Sequence, residues 1–156
     1  MTRVLFVCHG NICRSTMAEY VMRHLVRERG LEGQVVADSA AATRDALGMT
    51  VHWGTRRALE QHGIPCGGHR SRMLTRDDYD RYDYIVGMDQ ENLRDMRRIL
   101  RSDPQGKVHL LLDWSDHPRD VADPWYTDDF ETTFADVMTG CRSLLDACMR
   151  TLRNVE

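Results

Sequence analysis

Lysine is almost absent from this chain, and the charge balance is close to neutral. Lys107 is the only lysine among 21 basic residues, and the formal net charge at pH 7 is −3. Such a balance gives no reason to expect a nucleic-acid binder or a membrane-surface binder. The apolar stretch after Met1 ends at Cys8, too early for a spanning helix or a signal peptide, so we expect a cytoplasmic protein without membrane insertion.

Cysteines are few, odd in number and irregularly spaced. They are Cys8, Cys13, Cys66, Cys141 and Cys148. This set matches neither a secreted disulfide framework nor a four-cysteine zinc site, so we expect mostly free thiols. We see no metal site elsewhere in the sequence, and we expect no metal and no cofactor. The last three are expected to be structural. With 156 residues, 42% of them apolar and 29% charged, the chain fits one domain over residues 1–156.

Strand-like apolar runs alternate with helix-like periods along the whole chain. Strands are predicted at 2–7, 35–37, 84–88 and 108–112, and helices at 15–29, 50–62, after a capping box at 75–78, after a cap at Asp89, and at 129–154. This alternation predicts an α/β fold, a small doubly wound sheet of four parallel strands with helices on both faces. Ligands bind such sheets at the carboxyl ends of the strands, where strand order reverses.

The turn after the first strand, residues 8–15, is typical of an anion-binding loop. It leads into a helix N-terminus, where backbone N–H groups and the helix dipole favour an oxyanion. Gly10 is expected to supply the positive φ of a tight curl. Cys8 would lie beneath this cradle as a thiolate, and the planar guanidinium of Arg14 can bind two phosphate oxygens. Ser15 can donate a hydrogen bond to the sulfur.

The spacing within this loop is more informative than either residue alone. An isolated cysteine at a strand end is usually a packing residue, and an isolated arginine at a helix start is usually solvated. Here the cysteine, the arginine six positions later and the serine after it each meet a separate requirement of thiol attack on a phosphate ester. The pattern therefore predicts a nucleophilic phosphatase site.

A general acid is the remaining requirement, and Asp123 is the candidate. A positioned carboxylic acid that protonates a leaving phenol typically contributes about 10²–10⁴-fold. Asp123 follows the fourth predicted strand at the sheet edge expected for Cys8, and Pro124 biases it towards an extended backbone. Trp125 and Tyr126 can flank an aromatic substrate. Taken alone, an Asp-Pro pair is more often a simple turn.

These segments resemble the low-molecular-weight protein tyrosine phosphatases. The resemblance is carried by residues 7–15 with 17–19, by 123–126, and by the stretches 38–40, 69–72 and 83–89. It covers essentially the whole chain. It implies a four-stranded parallel sheet, a metal-independent two-step hydrolysis and a phosphotyrosine protein as substrate, such as a bacterial tyrosine kinase. We expect a monomer.

The resemblance also implies a role for each site residue. Cys8 would form a phosphocysteine, and Asp123 would protonate the phenol and then assist attack by water. Asn11 would hold the strained loop, supported by Ser39 and His69. The implied phosphate-binding loop comprises His9, Gly10, Asn11, Ile12, Cys13, Arg14 and Ser15. For Cys13 two alternatives stay open, a reversible disulfide with the nucleophile or a small packing residue.

Some positions differ from the pattern usual in that family. Thr16 stands where proline is usual, and residues 41–42 are Ala-Ala where Gly-Thr is usual. The stretch that follows, up to Arg57, is also longer and would form one wall of the substrate cleft. Met49 and Trp53 are candidate wall residues or core residues. These differences concern substrate preference rather than the chemistry.

Two rival functions are compatible with such a loop. A thiol-dependent arsenate reductase of the same fold would need two further cysteines close together in mid-chain, where only Cys66 lies. A phosphate-binding module without turnover would lack the nucleophile or the acid, whereas Cys8 and Asp123 are both present. The phosphatase is therefore the favoured interpretation.

Overall fold

Four parallel strands form the central sheet. They are β1 (Thr2–Cys8), β2 (Val35–Ala41), β3 (Tyr84–Gly87) and β4 (Val108–Leu110). The computed structural model describes residues 1–155, with the side chains of residues 1–154, so Glu156 of the predicted domain lies outside it. The strand order β2-β1-β3-β4 reverses direction at β1. The predicted doubly wound α/β fold is confirmed, and its switch point lies where Cys8 ends β1.

Helices cover both faces of this sheet. Those of the described residues are α1 (Arg14–Glu28), α2 (Trp53–Gln61), α3 (Asp78–Arg81), α4 (Gln90–Leu100), α5 (Pro124–Thr127) and α6 (Phe130–Val155). Side chains alternate along β1, so Val4 and Phe6 pack in the core with α1 and α6, whereas Leu5 and Val7 pack with α4. None of these helices has both the length and the apolar character that crossing a membrane would need.

All four strands end at a different residue from the predicted one, and two of them, β2 and β4, differ by two residues or more. β4 stops at Leu110 because residues Leu111–Trp114 turn into a 3₁₀ helix, in which the Asp113 carboxylate accepts a hydrogen bond from the Leu110 amide (2.9 Å). The apolar run 108–112 continues into the core, and apolarity alone does not distinguish a buried strand from a buried turn. β2 instead extends to Ala41, which pairs with Cys8, since its polar residues 38–39 obscured the strand pattern.

Helix starts also differ where a side chain caps them. α2 begins at Trp53 rather than near residue 50, because Nδ1 of His52 accepts a hydrogen bond from the Gly54 amide (3.0 Å). The predicted capping box at 75–78 forms only in part. The Asp78 carboxylate accepts from the Thr75 amide (2.9 Å), but α3 starts at Asp78 itself.

The loop after β4 is tied to the carboxyl end of β3. The Val121 amide donates a hydrogen bond to the carbonyl of Met88 (2.8 Å), just beyond that strand. On the other side, the Ala42 amide donates to the carbonyl of Cys8 (2.9 Å). The ends of β1, β2 and β3 and the 121–127 segment therefore meet at one edge of the sheet, which is where the candidate site lies.

Candidate active site

A cleft of about 530 Å³ opens at the carboxyl end of β1. Residues of the loop 8–15 form its floor, and its walls come from the segments 45–49, 89–92 and 123–126. The volume lies within the range of ~300–1,000 Å³ that is usual for small-molecule sites. The cleft thus occupies the place that the strand order predicts for a ligand.

The Cys8 sulfur lies at the bottom of this cleft with two hydrogen-bond donors. Cys8 is only 3% exposed. Its Sγ is 3.0 Å from Oγ of Ser15 and 3.4 Å from the Ser15 amide nitrogen. Nδ2 of Asn11 donates to the same Ser15 oxygen (2.9 Å), which leaves the hydroxyl hydrogen available for the sulfur. The predicted contact between Ser15 and the sulfur is therefore present, and both donors are placed to stabilise a thiolate.

The Arg14 guanidinium is fixed beside the sulfur by three acceptors. Nη1 donates to Oδ2 of Asp89 (2.6 Å) and to the carbonyl of Val121 (2.8 Å), and Nη2 lies 3.3 Å from Oδ2 of Asp123. Burial acts to lower the pKa of Arg14, but negative charge at Cys8, Asp123 and Asp89 raises it above its usual value. The 2% exposed side chain is therefore a permanent cation, held in one orientation at the cleft.

Asp89 has a second contact that the sequence did not reveal. We predicted it only as the cap of the following helix, and Oδ1 does accept from the Asn92 amide (2.8 Å). Its other oxygen binds Arg14 at the same time. The sequence did contain one indication of this contact. Asp89 follows β3, and β3 ends at the same edge of the sheet as the strand that ends at Cys8.

The tight curl of the loop depends on Asn11 rather than on Gly10. The prediction that Gly10 takes a positive φ is wrong, because Asn11 carries it, with φ of 58°. Asparagine is among the few residues that tolerate this left-handed region. Gly10 instead allows the loop to pack closely against Ala46, since a Cβ at position 10 would lie 3.3 Å from Cβ of Ala46.

The segment 69–72 forms hydrogen bonds to the loop 8–15. Oδ1 of Asn11 accepts from the Arg72 amide (3.2 Å), and its carbonyl lies 3.1 Å from Nε2 of His69. Oγ of Ser71 donates to the carbonyl of Gly10 (2.8 Å). His69 is thus in contact with the loop, as expected, whereas the contributions of Ser71 and Arg72 were not predicted from the sequence.

Ser39 reaches the loop only indirectly. Its Oγ donates to Oε1 of Glu19 (2.5 Å), and that oxygen is 3.8 Å from Nδ1 of His69. Glu19 is buried and also pairs with Arg23 (2.8 Å). The relay from Ser39 through Glu19 to His69 was not predicted, because nothing in the sequence marks Glu19 as buried.

Cys13 is a second buried thiol of the same loop. Burial, followed by negative charge at Cys8 and Asp123, raises the pKa of Cys13 to about 12. It packs in a small apolar cluster with Ile12 and Ala46. Thr16, at the position where proline was usual, donates from Oγ1 to the carbonyl of Cys13 (2.9 Å) and fits the first turn of α1.

The acid candidate lies at the rim, on a short helix that it caps. Oδ1 of Asp123 accepts from the Trp125 amide (3.0 Å), which leaves Oδ2 directed at Arg14. The Asp123 side chain is 21% exposed. Trp125 and Tyr126 line the cleft beside it and are 67% and 85% exposed. An accessible carboxyl flanked by two aromatic rings can meet the leaving oxygen of an aryl phosphate.

The sequence did not decide whether Met49 and Trp53 line the cleft or belong to the core. Met49 lines the cleft and is exposed. Trp53 is also exposed but does not line the cleft, and its ring stacks on His52 at 5.5 Å between ring centroids. His9 lines the cleft, as expected, and its Nε2 donates to Oδ2 of Asp45 (2.6 Å).

Comparison with known proteins identifies the family. The family described as "Low molecular weight phosphotyrosine protein phosphatase" matches residues 3–154. The low molecular weight protein-tyrosine-phosphatase YfkJ of Bacillus subtilis is 41% identical over 147 residues, which is 93% of this chain and 94% of that protein.

Solved structures agree with this match. The crystal structure of YfkJ superposes with a TM-score of 0.93 at 39% identity, over 97% of this chain and 96% of that one. The crystal structure of DARP, drosophila arginine phosphatase, gives a TM-score of 0.84 at 30% identity, over 94% and 97% of the two chains. The chain therefore belongs to the low-molecular-weight protein tyrosine phosphatase family and is a protein-tyrosine phosphatase.

Proposed function

We propose that this phosphatase hydrolyses phosphotyrosine in two steps, through a phosphocysteine on Cys8. One observation carries the proposal: the sulfur, the Arg14 guanidinium and the Asp123 carboxyl converge on one cleft. Each supplies a different need of the reaction, namely a nucleophile, a fixed cation for the phosphoryl oxygens and a proton donor.

In the first step, the Cys8 thiolate attacks phosphorus. A sulfur–phosphorus bond forms while the bond from phosphorus to the phenolic oxygen breaks. Asp123, protonated at the start, gives its proton to that oxygen, so neutral tyrosine leaves. Arg14 and the amides of residues 9–15 hold the other three phosphoryl oxygens, whose charge they balance in the transition state.

In the second step, water attacks the phosphocysteine. The Asp123 carboxylate takes a proton from this water, and the sulfur–phosphorus bond breaks to release inorganic phosphate. The electron pair returns to the sulfur, where the hydroxyl and amide of Ser15 stabilise it. Asp123 is then protonated again and ready for the next substrate.

The depth of the cleft supports an aryl phosphate as substrate. Cys8 and Arg14 lie at the bottom and are almost fully buried, whereas Trp125 and Tyr126 stand exposed at the rim. A phosphate on tyrosine extends farther from the peptide backbone than one on serine, so the ring can pass between the walls. We propose a phosphorylated bacterial tyrosine kinase as a protein substrate, and a monomeric enzyme.

The test compares peptides of one sequence that carry phosphotyrosine, phosphoserine or phosphoarginine at the same position. We expect kcat/KM for phosphotyrosine to exceed the other two by at least about 10²-fold, the scale of a site built around one leaving group. The drosophila relative is named an arginine phosphatase, so phosphoarginine is the most informative competitor. Preference for phosphoarginine would overturn the substrate assignment.

The arsenate reductase alternative has a separate test. Its relay would have to pass through Cys66, because no other cysteine lies in mid-chain. Burial raises the pKa of the Cys66 thiol, which makes it a poorer nucleophile at neutral pH. Consumption of arsenate driven by thioredoxin, and lost in Cys66→Ser, would support the reductase. Unchanged hydrolysis in that variant supports the phosphatase.

A further inference from the structure

Three potential metal ligands meet at the mouth of the cleft. His9, Glu91 and Asp95 each offer one ligand atom, and these atoms lie within 4.8 Å of one another. Glu91 and Asp95 are four residues apart on α4, so successive turns place both carboxylates on one side of the helix. We propose that these side chains bind a divalent transition-metal ion, with Zn²⁺ as the best-fitting ion, and that this ion inhibits the enzyme.

The donor set indicates the class of ion. One neutral imidazole and two carboxylates balance the charge of a divalent cation. Imidazole favours zinc and its transition-metal neighbours, whereas calcium and magnesium prefer sites made only of oxygen. In a tetrahedral zinc site, ligand atoms about 2.1 Å from the metal are roughly 3.4 Å apart. The ligand atoms of the three side chains lie within 4.8 Å of one another, and the Glu91 side chain is exposed, so its rotation can bring them to this shorter separation.

Asp45 completes the arrangement around the histidine. Its Oδ2 accepts a hydrogen bond from Nε2 of His9 (2.6 Å). A carboxylate on one ring nitrogen is the usual partner of a metal-bound histidine, because it fixes the ring and keeps the other nitrogen unprotonated. We therefore assign Nδ1 of His9 to the ion.

The guanidinium of Arg98 already pairs with Asp95, one of the proposed metal ligands. Nη2 of Arg98 lies 3.2 Å from Oδ1 of Asp95. The Arg98 side chain is largely exposed, so it can move away, and Oδ2 of Asp95 is not part of that pair. Asp89 lies nearby but is already bound to Arg14 and to the start of α4.

A basic side chain of a substrate is the other candidate for these carboxylates. The ion is favoured because a histidine nitrogen is a good metal ligand but a poor partner for a second cation. Three donor atoms within 4.8 Å of one another also enclose one small ion more closely than a guanidinium or ammonium group with its hydrogens.

The position predicts the effect of the ion. His9 and Glu91 both line the cleft, so an ion between them with its bound water narrows the entrance to Cys8. We expect Zn²⁺ to raise KM for a phosphotyrosine peptide and a chelator to restore it. The reaction itself needs no metal, and a chelator alone should not lower the activity.

The binding test uses Cys8→Ser as its background, because a catalytic thiolate would bind Zn²⁺ by itself. Calorimetry should show one Zn²⁺ per chain, and Co²⁺ should give visible absorption of a site with nitrogen and oxygen ligands. Adding His9→Gln, or Glu91→Gln together with Asp95→Asn, should weaken binding at least tenfold. His24→Gln is the matched control, at a histidine that pairs with Glu28 away from the cleft, and should bind like the background.

Several results would overturn the proposal. Binding that disappears in Cys8→Ser alone would place the ion on the thiolate. Equal affinity in the His9→Gln variant would exclude the site. Normal Zn²⁺ binding by the carboxylate variants would also exclude it, if the same substitutions in the active enzyme raise KM only for basic peptides. Because binding is measured without turnover, failure here leaves the phosphocysteine mechanism untouched.

Discussion

The floor of the cleft is buried and held by hydrogen bonds, whereas the rim is exposed and held by few. On the floor, Asn11 and Ser15 are fully buried and Arg14 nearly so, and every buried nitrogen or oxygen of the described side chains has a partner. At the rim, Trp125 and Tyr126 present most of their surface to solvent. The two regions therefore differ in what a substitution can change.

This difference separates chemistry from substrate choice. The hydrogen bonds of the floor fix the sulfur and the guanidinium before substrate arrives, so the site need not reorganise during the reaction. The exposed rim residues Trp125 and Tyr126 can change without leaving a buried polar group unpaired, whereas Asp123, also at the rim, contacts the buried Arg14. We expect floor substitutions to reduce turnover for every substrate, and substitutions of the rim aromatic residues to change the ranking of substrates.

Removing the Cys8 sulfur should give the largest effect, because the floor then keeps its shape but loses its nucleophile. Cys8→Ser should lower kcat by at least about 10⁴-fold, as losing a catalytic nucleophile commonly does. The Kd for inorganic phosphate should change little. Cys66→Ser, outside the cleft, is the control and should keep normal kcat. Comparable turnover in Cys8→Ser would remove the covalent mechanism.

Asp123→Asn should come next, and its effect should depend on the leaving group. For phenyl phosphate, whose leaving group is poor, kcat/KM should fall by about 10²–10⁴-fold. For dinitrophenyl phosphate the loss should be small, because that phenolate leaves without a proton. Asp120→Asn, at an exposed position of the same loop, is the control. Equal losses across the leaving-group series would assign the acid elsewhere.

Asp89→Asn should give an intermediate loss that separates positioning from folding. Asparagine caps a helix as well as aspartate does, so this variant keeps the cap, and its melting temperature should fall less than that of Asp89→Ala. The charged contact to Arg14 is lost, and we expect kcat/KM to fall about tenfold, or about 1.4 kcal/mol.

Measuring phosphate binding tests the alternative that Asp89 does not position Arg14. If phosphate binds more tightly to Asp89→Asn and kcat/KM is unchanged, the carboxylate acts only as a competing anion. Asp89→Ala, which also loses the cap, should lower both the melting temperature and kcat/KM. Phosphate titration and thermal unfolding of the two variants distinguish these cases.

Two substitutions at Asn11 should measure how much the positive φ at this position costs in free energy of unfolding. Both Asn11→Gly and Asn11→Ala lose the hydrogen bonds to Ser15 and Arg72, so both should be less stable than the native chain. Only alanine also resists φ of 58°, at a cost of about 1–2 kcal/mol. Urea unfolding should therefore rank alanine below glycine, and the opposite order would contradict the strained conformation.

The alkylation of Cys13 should depend steeply on pH. With its pKa raised to about 12, Cys13 is ionised to only about 10⁻⁴ at pH 8. Its alkylation by iodoacetamide should rise about tenfold per pH unit up to that value. Cys8 should be alkylated first at pH 8, and peptide mapping by mass spectrometry measures the order. Simultaneous alkylation of both would contradict the difference between their environments.

The floor was largely predictable from the sequence because its reactive parts are consecutive in the chain. A strand that ends at Cys8, a five-residue loop and a helix that starts at Arg14 bring Cys8, Arg14 and Ser15 together within one local segment. Asp123 was predictable from the sheet, since parallel strands end at a common edge. These predictions needed only local geometry and strand order.

The residues that hold the floor by hydrogen bonds from distant parts of the chain were not predictable in the same way. Asp89 lies 75 residues from Arg14, and Ser71 lies 61 from Gly10, so only the fold brings each pair together. The sequence also did not distinguish Gly10 from Asn11 as the residue with the positive φ, because both residue types tolerate that backbone. The close approach of Ala46 to Gly10 is likewise a contact that only the fold creates.

The most direct test of the covalent mechanism is to trap the intermediate. The enzyme is mixed with a ³²P-labelled phosphotyrosine peptide, quenched in acid during turnover, digested and mapped by mass spectrometry. We predict covalent phosphate on the peptide that contains Cys8, and none in Cys8→Ser. Rapid turnover with no phosphate bound to the chain, or with phosphate on another residue, would contradict the mechanism.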